Sequence, residues 1–156
     1  MKYFDDFKVG DTTEFPPRSV TEAEIIAFAR DYDPQPFHID PEAAAKTPYG
    51  GIIASGWHTA GIMMRLMVDH AIRGSTSMGS PGVDELRWLK PVRPGDTLSL
   101  IGVVTAVKAS TSKPDRGVVK TQYEMRNQHG DVVLRMRGNG MYRRHPDVAA
   151  AAAKEA

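Results

Sequence analysis

The sequence predicts a single α+β domain in which an antiparallel sheet packs around one long helix. Helical patterns occupy the first half of the chain, strand patterns separated by turns occupy the second, and an apolar segment over residues 57–72 lies between them. The length of 156 residues suits one domain with a substantial core. We therefore expect one domain over residues 1–147, followed by an Ala-rich tail over residues 148–156 that is a frayed helix or disordered.

The N-terminal part predicts one short strand and one amphipathic helix. Residues 12–15 have an extended pattern, and Pro16–Pro17 are expected to end that strand. Thr21 and Glu24 have the spacing of a capping box, in which each side chain bonds the backbone of the other residue. Apolar residues follow at helical spacing, so we expect a helix over residues 22–32 with one buried stripe.

Two further helices are expected before the sheet. Asp40 precedes a proline, which predicts an N-cap and a short helix that ends near Lys46. A second helix over residues 57–72 is apolar around most of its circumference, which indicates burial against a sheet, and Gly74 ends it. Three of its methionines, Met63, Met64 and Met67, are expected to fill the core, although methionines also form adaptable acyl pockets.

The C-terminal half predicts four strands that form an antiparallel sheet. They cover residues 83–89, 97–108, 118–127 and 132–142, and the turn 129–131 joins the last two as a hairpin. An open sheet of this kind leaves strand edges unpaired. Pairing with a second copy would cover one edge, so we expect a homodimer or a higher homo-oligomer.

Composition limits the classes of partner and chemistry. Twenty Lys and Arg against nineteen Asp and Glu give a formal charge of +1, so we expect no nucleic-acid partner. The absence of cysteine excludes disulfides, iron–sulfur clusters and a thiol nucleophile. No apolar run approaches the roughly 20 residues of a membrane span, and the acidic N-terminus is unlike a signal peptide. These features predict a cytoplasmic protein with no membrane partner.

The densest polar cluster lies between the first two predicted helices. Asp33 and His38 are separated by two prolines, which predict a stiff loop that holds both side chains in place. An acid and an imidazole held close together can share a water molecule, one taking a proton while the other gives one. Alternatively, Asp33 only caps a turn and His38 is an ordinary core or surface histidine. A metal site that adds Asp40 is disfavoured because no second histidine cluster lies nearby, so we expect no metal.

Three ordered segments resemble a known family. Asp33-x-Gln35-Pro36-x-His38 is similar to the Asp-x-Asn-Pro-x-His motif of the MaoC-like dehydratases, which include the (R)-specific enoyl-CoA hydratases. The segment Tyr49–Gly56 resembles that family's aromatic-Gly-Gly stretch before the central helix, and Trp88–Asp96 resembles its Pro-Val-x-Pro-Gly-Asp turn. The matches span about residues 21–142, which is most of the chain.

This resemblance implies a hot-dog fold, an acyl thioester substrate that is usually carried on coenzyme A, and reversible hydration of a 2-enoyl group. It implies that Asp33 and His38 activate water together and that the Gly56 N–H holds the thioester oxygen. A helix N-terminus suits that second role, because its free N–H groups face the negative charge of an enolate. A glycine there would let the thioester approach the backbone closely. Coenzyme A enters as part of the substrate, and no other cofactor is expected.

Several further residues have two interpretations. Gln35 stands where the family has Asn, and it either supports the loop and binds substrate or orients the catalytic pair. Ser55 either hydrogen-bonds the substrate or caps the helix that follows it. His58 either lines the pocket or packs the helix. Arg87 and Lys90, together with a nearby arginine, either bind the phosphates of coenzyme A or are solvated charges at strand ends.

The predicted function is a hydratase or dehydratase that acts on 2-enoyl-CoA and 3-hydroxyacyl-CoA. Two alternatives are kept. The same fold can host acyl-CoA thioesterases, because fold does not fix the reaction. The chain could also be a non-catalytic acyl-thioester-binding subunit in which Gln35 marks a site that has lost its activity.

Overall fold

The computed structural model describes residues 1–154. The strands are β1 (Thr12–Ser19), β2 (Gly82–Trp88), β3 (Thr97–Ala109), β4 (Arg116–Arg126) and β5 (Val132–Arg143). The helices are α1 (Glu22–Tyr32), α2 (Pro36–Ile39), α3 (Pro41–Ala45), α4 (Gly56–Met67) and α5 (Pro146–Lys154). A 3₁₀ turn at Phe4–Asp6 precedes β1, and a π-helical turn at Val68–Ile72 extends α4.

The five strands form one sheet in the order β1-β3-β4-β5-β2, and every neighbouring pair is antiparallel. Helix α4 packs against this sheet through Ile62, Met63 and Leu66, which join the central core cluster. Strand residues such as Leu98 and Leu134 complete that cluster and are fully buried. The predicted α+β class and antiparallel sheet are therefore confirmed, and β1 and β2 are the two edges.

Helix α4 is amphipathic rather than buried on all sides. Met63 and Met67 lie in the core as predicted, whereas Met64 is 46% exposed and Trp57 is 61% exposed. The prediction that Met64 fills the core is wrong, because its exposed side chain lines an open pocket that it shares with Val83 of β2 and Met136 of β5. The helical segment reaches Ile72 as expected, but its last turn is π-helical, and its C-cap is Arg73 rather than Gly74.

Strand β1 continues through its two prolines, so the prediction that Pro16–Pro17 end it is wrong. Its pairing with β3 shifts register between Phe15 and Arg18, which places both prolines in an irregular stretch. Because β1 is an edge strand, the missing proline N–H groups cost it few ladder hydrogen bonds.

The helix caps follow the sequence closely. Thr21 and Glu24 form the predicted capping box at the start of α1. The Asp40 carboxylate accepts the N–H groups of Glu42 and Ala43 and so caps α3, as its position before a proline predicts. The segment between α1 and α3 was expected to be a loop, but Pro36 instead occupies the first position of the short helix α2.

The Ala-rich tail is helical as far as the structure describes it. Helix α5 begins at Pro146 and continues to Lys154, and the last two residues of the predicted tail, 155–156, lie outside the described residues. Over residues 1–154, no helix combines the length and the apolar character that a membrane crossing requires.

Candidate active site

A cleft of about 360 Å³ opens where the end of α1, helix α2 and the start of α4 meet the end of β2. Asp33, Gln35, His38 and Gly56 line it on one side. Its other walls are mainly apolar and aromatic, and they include Phe37, Tyr49, Ile53, Trp57, Trp88, Leu89 and Val92. A largely apolar cleft with a few converging polar groups is the usual form of a small-molecule site.

Asp33 and His38 face each other across this cleft. Asp33 is the C-cap of α1, and His38 lies on α2 with only 4% of its surface exposed. The distance from Asp33 Oδ2 to His38 Nε2 is 3.3 Å. The turn from α1 into α2 therefore brings together the two side chains that the motif predicts as partners.

The ring of His38 has a fixed orientation. Its Nδ1 lies 2.7 Å from the carbonyl oxygen of Ile53, which can only accept a hydrogen bond, so Nδ1 carries the hydrogen. The Nε2 atom is thereby left to face Asp33 and the cleft. The hydrogen bond to the Ile53 carbonyl thus fixes the ring so that Nε2 is the atom placed for proton transfer.

Asp33 is held by two hydrogen-bond donors. The Ser55 hydroxyl donates to its Oδ2 at 2.7 Å, and the Gln35 amide Nε2 donates to its Oδ1 at 2.8 Å. The Ser55 bond, then the Gln35 bond and the nearby His38 ring, hold the pKa of Asp33 below its usual value despite its partial burial. Asp33 is therefore a carboxylate at neutral pH, which suits a general base.

Removing the Ser55 hydroxyl is expected to move the pH profile of activity. Activity that needs the Asp33 carboxylate is lost as the pH falls through the pKa of Asp33. Because the Ser55 bond lowers that pKa, Ser55→Ala should raise it and shift the acid limb of the kcat profile to higher pH. Ser75→Ala, which removes a hydroxyl bonded to the Ile72 carbonyl instead, should leave the limb in place. An unmoved limb in Ser55→Ala would contradict this assignment.

The two interpretations of Ser55 are separated by its contacts. Ser55 is fully buried, and besides bonding Asp33 its Oγ accepts the Trp57 N–H at 3.3 Å as the N-cap of α4. It therefore caps the helix and orients Asp33, while the cleft surface itself is formed by its neighbours. Gln35 lines the cleft, and its amide donates to the Asp33 carboxylate, which is the contact expected if Gln35 orients the catalytic pair.

Gly56 is the first residue of α4, and its N–H has no hydrogen-bond acceptor within residues 1–154. The first N–H groups of a helix lack intrahelical partners and lie at the positive end of the helix dipole. The cleft is thus lined, at one point, by a backbone donor that is suited to a developing oxyanion.

The requirement for glycine at position 56 comes from Trp88. A Cβ atom at this position would lie 2.5–2.8 Å from three atoms of the Trp88 indole ring. The Trp88 Nε1–H also donates to the Gly56 carbonyl oxygen at 2.7 Å. The indole ring thus fills the side-chain position of Gly56, while the expectation that the glycine lets a thioester approach the backbone closely stays a prediction.

The two predicted phosphate-binding residues lie in different places. Lys90 lines the cleft, and its Nζ is 2.7 Å from the Asp131 carboxylate. Arg87 is not among the residues that line the cleft; its exposed side chain pairs with Glu85 on the same strand. The nearby Arg93 donates to the Tyr49 carbonyl at 2.7 Å.

His58 packs between helices and does not line the cleft. Its ring stacks on Phe28 of α1 with centroids 4.8 Å apart, and burial lowers its pKa.

For the disfavoured metal site, the Asp40 carboxylate is occupied in capping α3. Within residues 1–154, no group of three or more His, Asp or Glu side chains is placed to hold a metal ion.

Sequence reasoning missed the aromatic walls and the backbone partner of His38. Trp57 and Trp88 meet edge to face at the end of the cleft, with ring centroids 5.1 Å apart. Trp57 directly follows one family-like segment and Trp88 begins another, so their positions suggested a place near the site. No local sequence pattern predicts that the end of β2 contacts the start of α4. The Ile53 carbonyl carried no signal because any residue supplies one.

The chain is similar to known proteins over most of its length. The model of the family described as MaoC like domain matches residues 6–127. The crystal structure of a MaoC-like dehydratase from Rhodospirillum rubrum is 42% identical, covers 92% of this chain and 98% of that chain, and has a TM-score of 0.82. An R-hydratase from Pseudomonas aeruginosa is 25% identical, covers 92% of this chain and 86% of its own, and has a TM-score of 0.71.

A third relative comes from the curated proteins. The 3-hydroxybutyryl-CoA dehydratase of Methylorubrum extorquens is 31% identical over 103 residues, which is 63% of this chain. The chain spans 60% of the length of that dehydratase. The two solved structures superpose on nine-tenths of the chain, and the predicted hot-dog fold is thereby confirmed.

Proposed function

This chain belongs to the MaoC-like domain family of hydratases and dehydratases, and we propose that it reversibly hydrates a 2-enoyl-CoA to a 3-hydroxyacyl-CoA. One observation carries the proposal: the oriented Asp33–His38 pair and the unbonded Gly56 N–H line the same cleft. An acid–base pair and an oxyanion donor are the two groups that addition of water to an enoyl thioester needs.

The proposed hydration conserves protons over the cycle. The Asp33 carboxylate takes a proton from water as the water oxygen bonds to C3, and the C2=C3 electron pair moves toward the thioester to give an enolate. In the proposed cycle His38 starts as an imidazolium, with one hydrogen on Nδ1 and one on Nε2, and it gives the Nε2 proton to C2, which consumes the enolate. The proton left on Asp33 then returns to Nε2 across the 3.3 Å that separates the two atoms.

The enolate oxygen is proposed to accept the Gly56 N–H. This donor is fixed at the start of α4 before the substrate arrives, so little reorganisation is needed when charge develops. A preorganised donor of this kind contributes roughly 10²–10³-fold to the rate, and general acid–base catalysis contributes about 10²–10⁴-fold.

Lys90, which lines the cleft, is proposed to bind a phosphate of coenzyme A in place of Asp131.

The experiment that tests this function follows the loss of enoyl absorbance in a panel of 2-enoyl-CoAs. The panel includes short, long, branched and dicarboxylic acyl groups. Turnover of at least one member without release of free coenzyme A supports the hydratase. Release of free thiol would instead indicate a thioesterase, and binding of every member without turnover would indicate the non-catalytic subunit.

We also propose a homodimer formed at β2, since this edge carries exposed apolar side chains. Val83 on β2 is 51% exposed and Leu89, just after the strand, is 47% exposed. Val83 also lines an open pocket together with the exposed Met64 of α4. The opposite edge, β1, contains two prolines, which lack the N–H groups that pairing needs. The end of β2 also lines the cleft, so a partner at this edge would lie beside the site.

Sedimentation of the purified chain should give a particle of about twice its 17.1 kDa mass. Met64→Glu and Val83→Glu each place a charge in the proposed interface and should shift the particle toward the monomer. Val9→Glu, at an exposed apolar residue in the turn before β1, is the matched control and should remain dimeric. A monomeric wild-type protein, or dimers unaffected by either change, would argue against an interface at β2.

A further inference from the structure

We infer that Trp88 is a positioning residue that aims the Gly56 N–H at the thioester oxygen. The inference rests on the proposed function, since it concerns the donor assigned to the enolate. Trp88 lies at the end of β2, in the sheet, whereas Gly56 begins α4. Their contact therefore joins the two walls of the cleft at the backbone group that is proposed to stabilise the charge.

The contact has both a polar and a steric part. The indole Nε1–H donates to the Gly56 carbonyl at 2.7 Å, which is a short hydrogen bond for this type of donor. Three atoms of the indole ring, Cε2, Cδ2 and Nε1, lie 2.5–2.8 Å from the position that a Cβ of residue 56 would occupy. Only glycine allows this approach, so the residues at 56 and 88 fit each other.

A glycine at the start of a helix leaves the backbone free to vary in direction, and the contact with Trp88 restricts this freedom. Glycine has more backbone freedom than any other residue, and a donor whose direction varies stabilises an oxyanion poorly. The peptide group that joins Gly56 to Trp57 is held at both ends, since its carbonyl accepts from Trp88 and its N–H donates to Ser55 Oγ at 3.3 Å. This restraint fixes the backbone directly after the Gly56 N–H.

The same serine hydroxyl also bonds the Asp33 carboxylate. Trp88, the Gly56–Trp57 peptide group, Ser55 and Asp33 therefore form one continuous set of contacts from the sheet to the general base. The role of Trp88 in this set is to orient the oxyanion donor, whereas Ser55 sets the pKa of the base. The two roles predict different changes when each residue is replaced.

Trp88→Phe tests the inference because it keeps an aromatic ring and removes the N–H donor. Loss of one hydrogen bond that acts in the transition state should lower kcat by about tenfold. The acid limb of the pH profile should stay in place, since the partners of Asp33 are unchanged. Binding of a saturated acyl-CoA, butyryl-CoA, which cannot be hydrated, should change by less than about threefold, because ground-state contacts with the wall remain.

That binding is measurable without turnover. The chain has two tryptophans, and both line the cleft, so in Trp88→Phe the fluorescence of Trp57 alone reports butyryl-CoA binding. A fall in kcat with unchanged binding supports positioning. An unchanged kcat, or a loss confined to binding, would overturn it and leave the proposed function standing. Absence of wild-type turnover across the enoyl panel would overturn the proposed function and this inference together.

A double-mutant cycle supplies a second test that does not depend on the phenylalanine ring. Gly56→Ala forces a methyl group into the indole ring, and Trp88→Ala removes that ring. If Trp88 acts through Gly56, the double variant should lose less kcat than the product of the two single losses, because the collision is relieved. Losses that multiply would show two independent residues and overturn the inference.

Discussion

Asp33→Asn is expected to lower kcat by at least about 100-fold while the protein remains folded. The substitution keeps the size of the side chain and an oxygen that can accept the Ser55 hydrogen bond, but it removes the negative charge that takes a proton from water. In the proposed cycle the imidazolium of His38 would then face a neutral amide across 3.3 Å, and neither group could accept the proton from water. The loss should appear in kcat more than in KM, because a group that acts in the transition state contributes little to ground-state binding.

Asp31→Asn is the matched control for this change. It makes the same substitution two residues earlier, at an exposed position near the end of α1, and it should retain wild-type turnover. Circular dichroism and butyryl-CoA binding show whether each variant is folded. Near-normal turnover by a folded Asp33→Asn protein would remove the proposed mechanism.

Gly56→Ala is expected to lower kcat by roughly 10²–10³-fold, which is the usual cost of losing one oxyanion donor. The new methyl group would lie 2.5–2.8 Å from the Trp88 ring, so the ring or the start of α4 must move. Either movement redirects the Gly56 N–H. The collision should also lower the free energy of unfolding, since overpacking of this kind typically costs about 1–3 kcal/mol.

Gly61→Ala separates this effect from the general effect of alanine in a helix. Gly61 lies on the same helix, and a Cβ there would meet no atom within 4 Å. Alanine is a better helix former than glycine, so this variant should keep its turnover and gain about 0.5–1 kcal/mol in stability. Thermal unfolding and the enoyl assay on both variants decide the point. Equal losses in the two would attribute the effect to the helix rather than to position 56.

The sequence predicted the parts of the fold that depend on local chemistry. The Thr21–Glu24 capping box and the Asp40 cap each involve residues no more than three positions apart, and both are present. Turn residues likewise predicted the hairpin between β4 and β5. Asp33 and His38 were predicted as partners for the same reason, since only four residues separate them and the intervening prolines limit the backbone.

The missed features depend on contacts between distant parts of the chain. Nothing near Trp88 indicates that its indole bonds Gly56, which is 32 residues away. The bond from Ser55 to Asp33 crosses 22 residues and is set by how α4 packs beside α1. Strand β1 passed through its prolines because it lies at an edge, which is a property of the whole sheet. The resemblance predicted the family and pointed to Asp33, His38 and Gly56, while the structure shows which groups each of these residues contacts.

The prolines of β1 also limit how far copies of this chain can associate. A sheet with two free edges can add strands from new molecules without end, which is the route to fibres. Here one edge carries Pro16 and Pro17 in an irregular stretch and is a poor template for another strand. If two chains pair through their β2 edges, only the β1 edges remain free, and growth by strand addition would stop at the dimer. Pro16 and Pro17 are therefore expected to reduce the tendency of this edge to pair with further molecules, which is one route to aggregation.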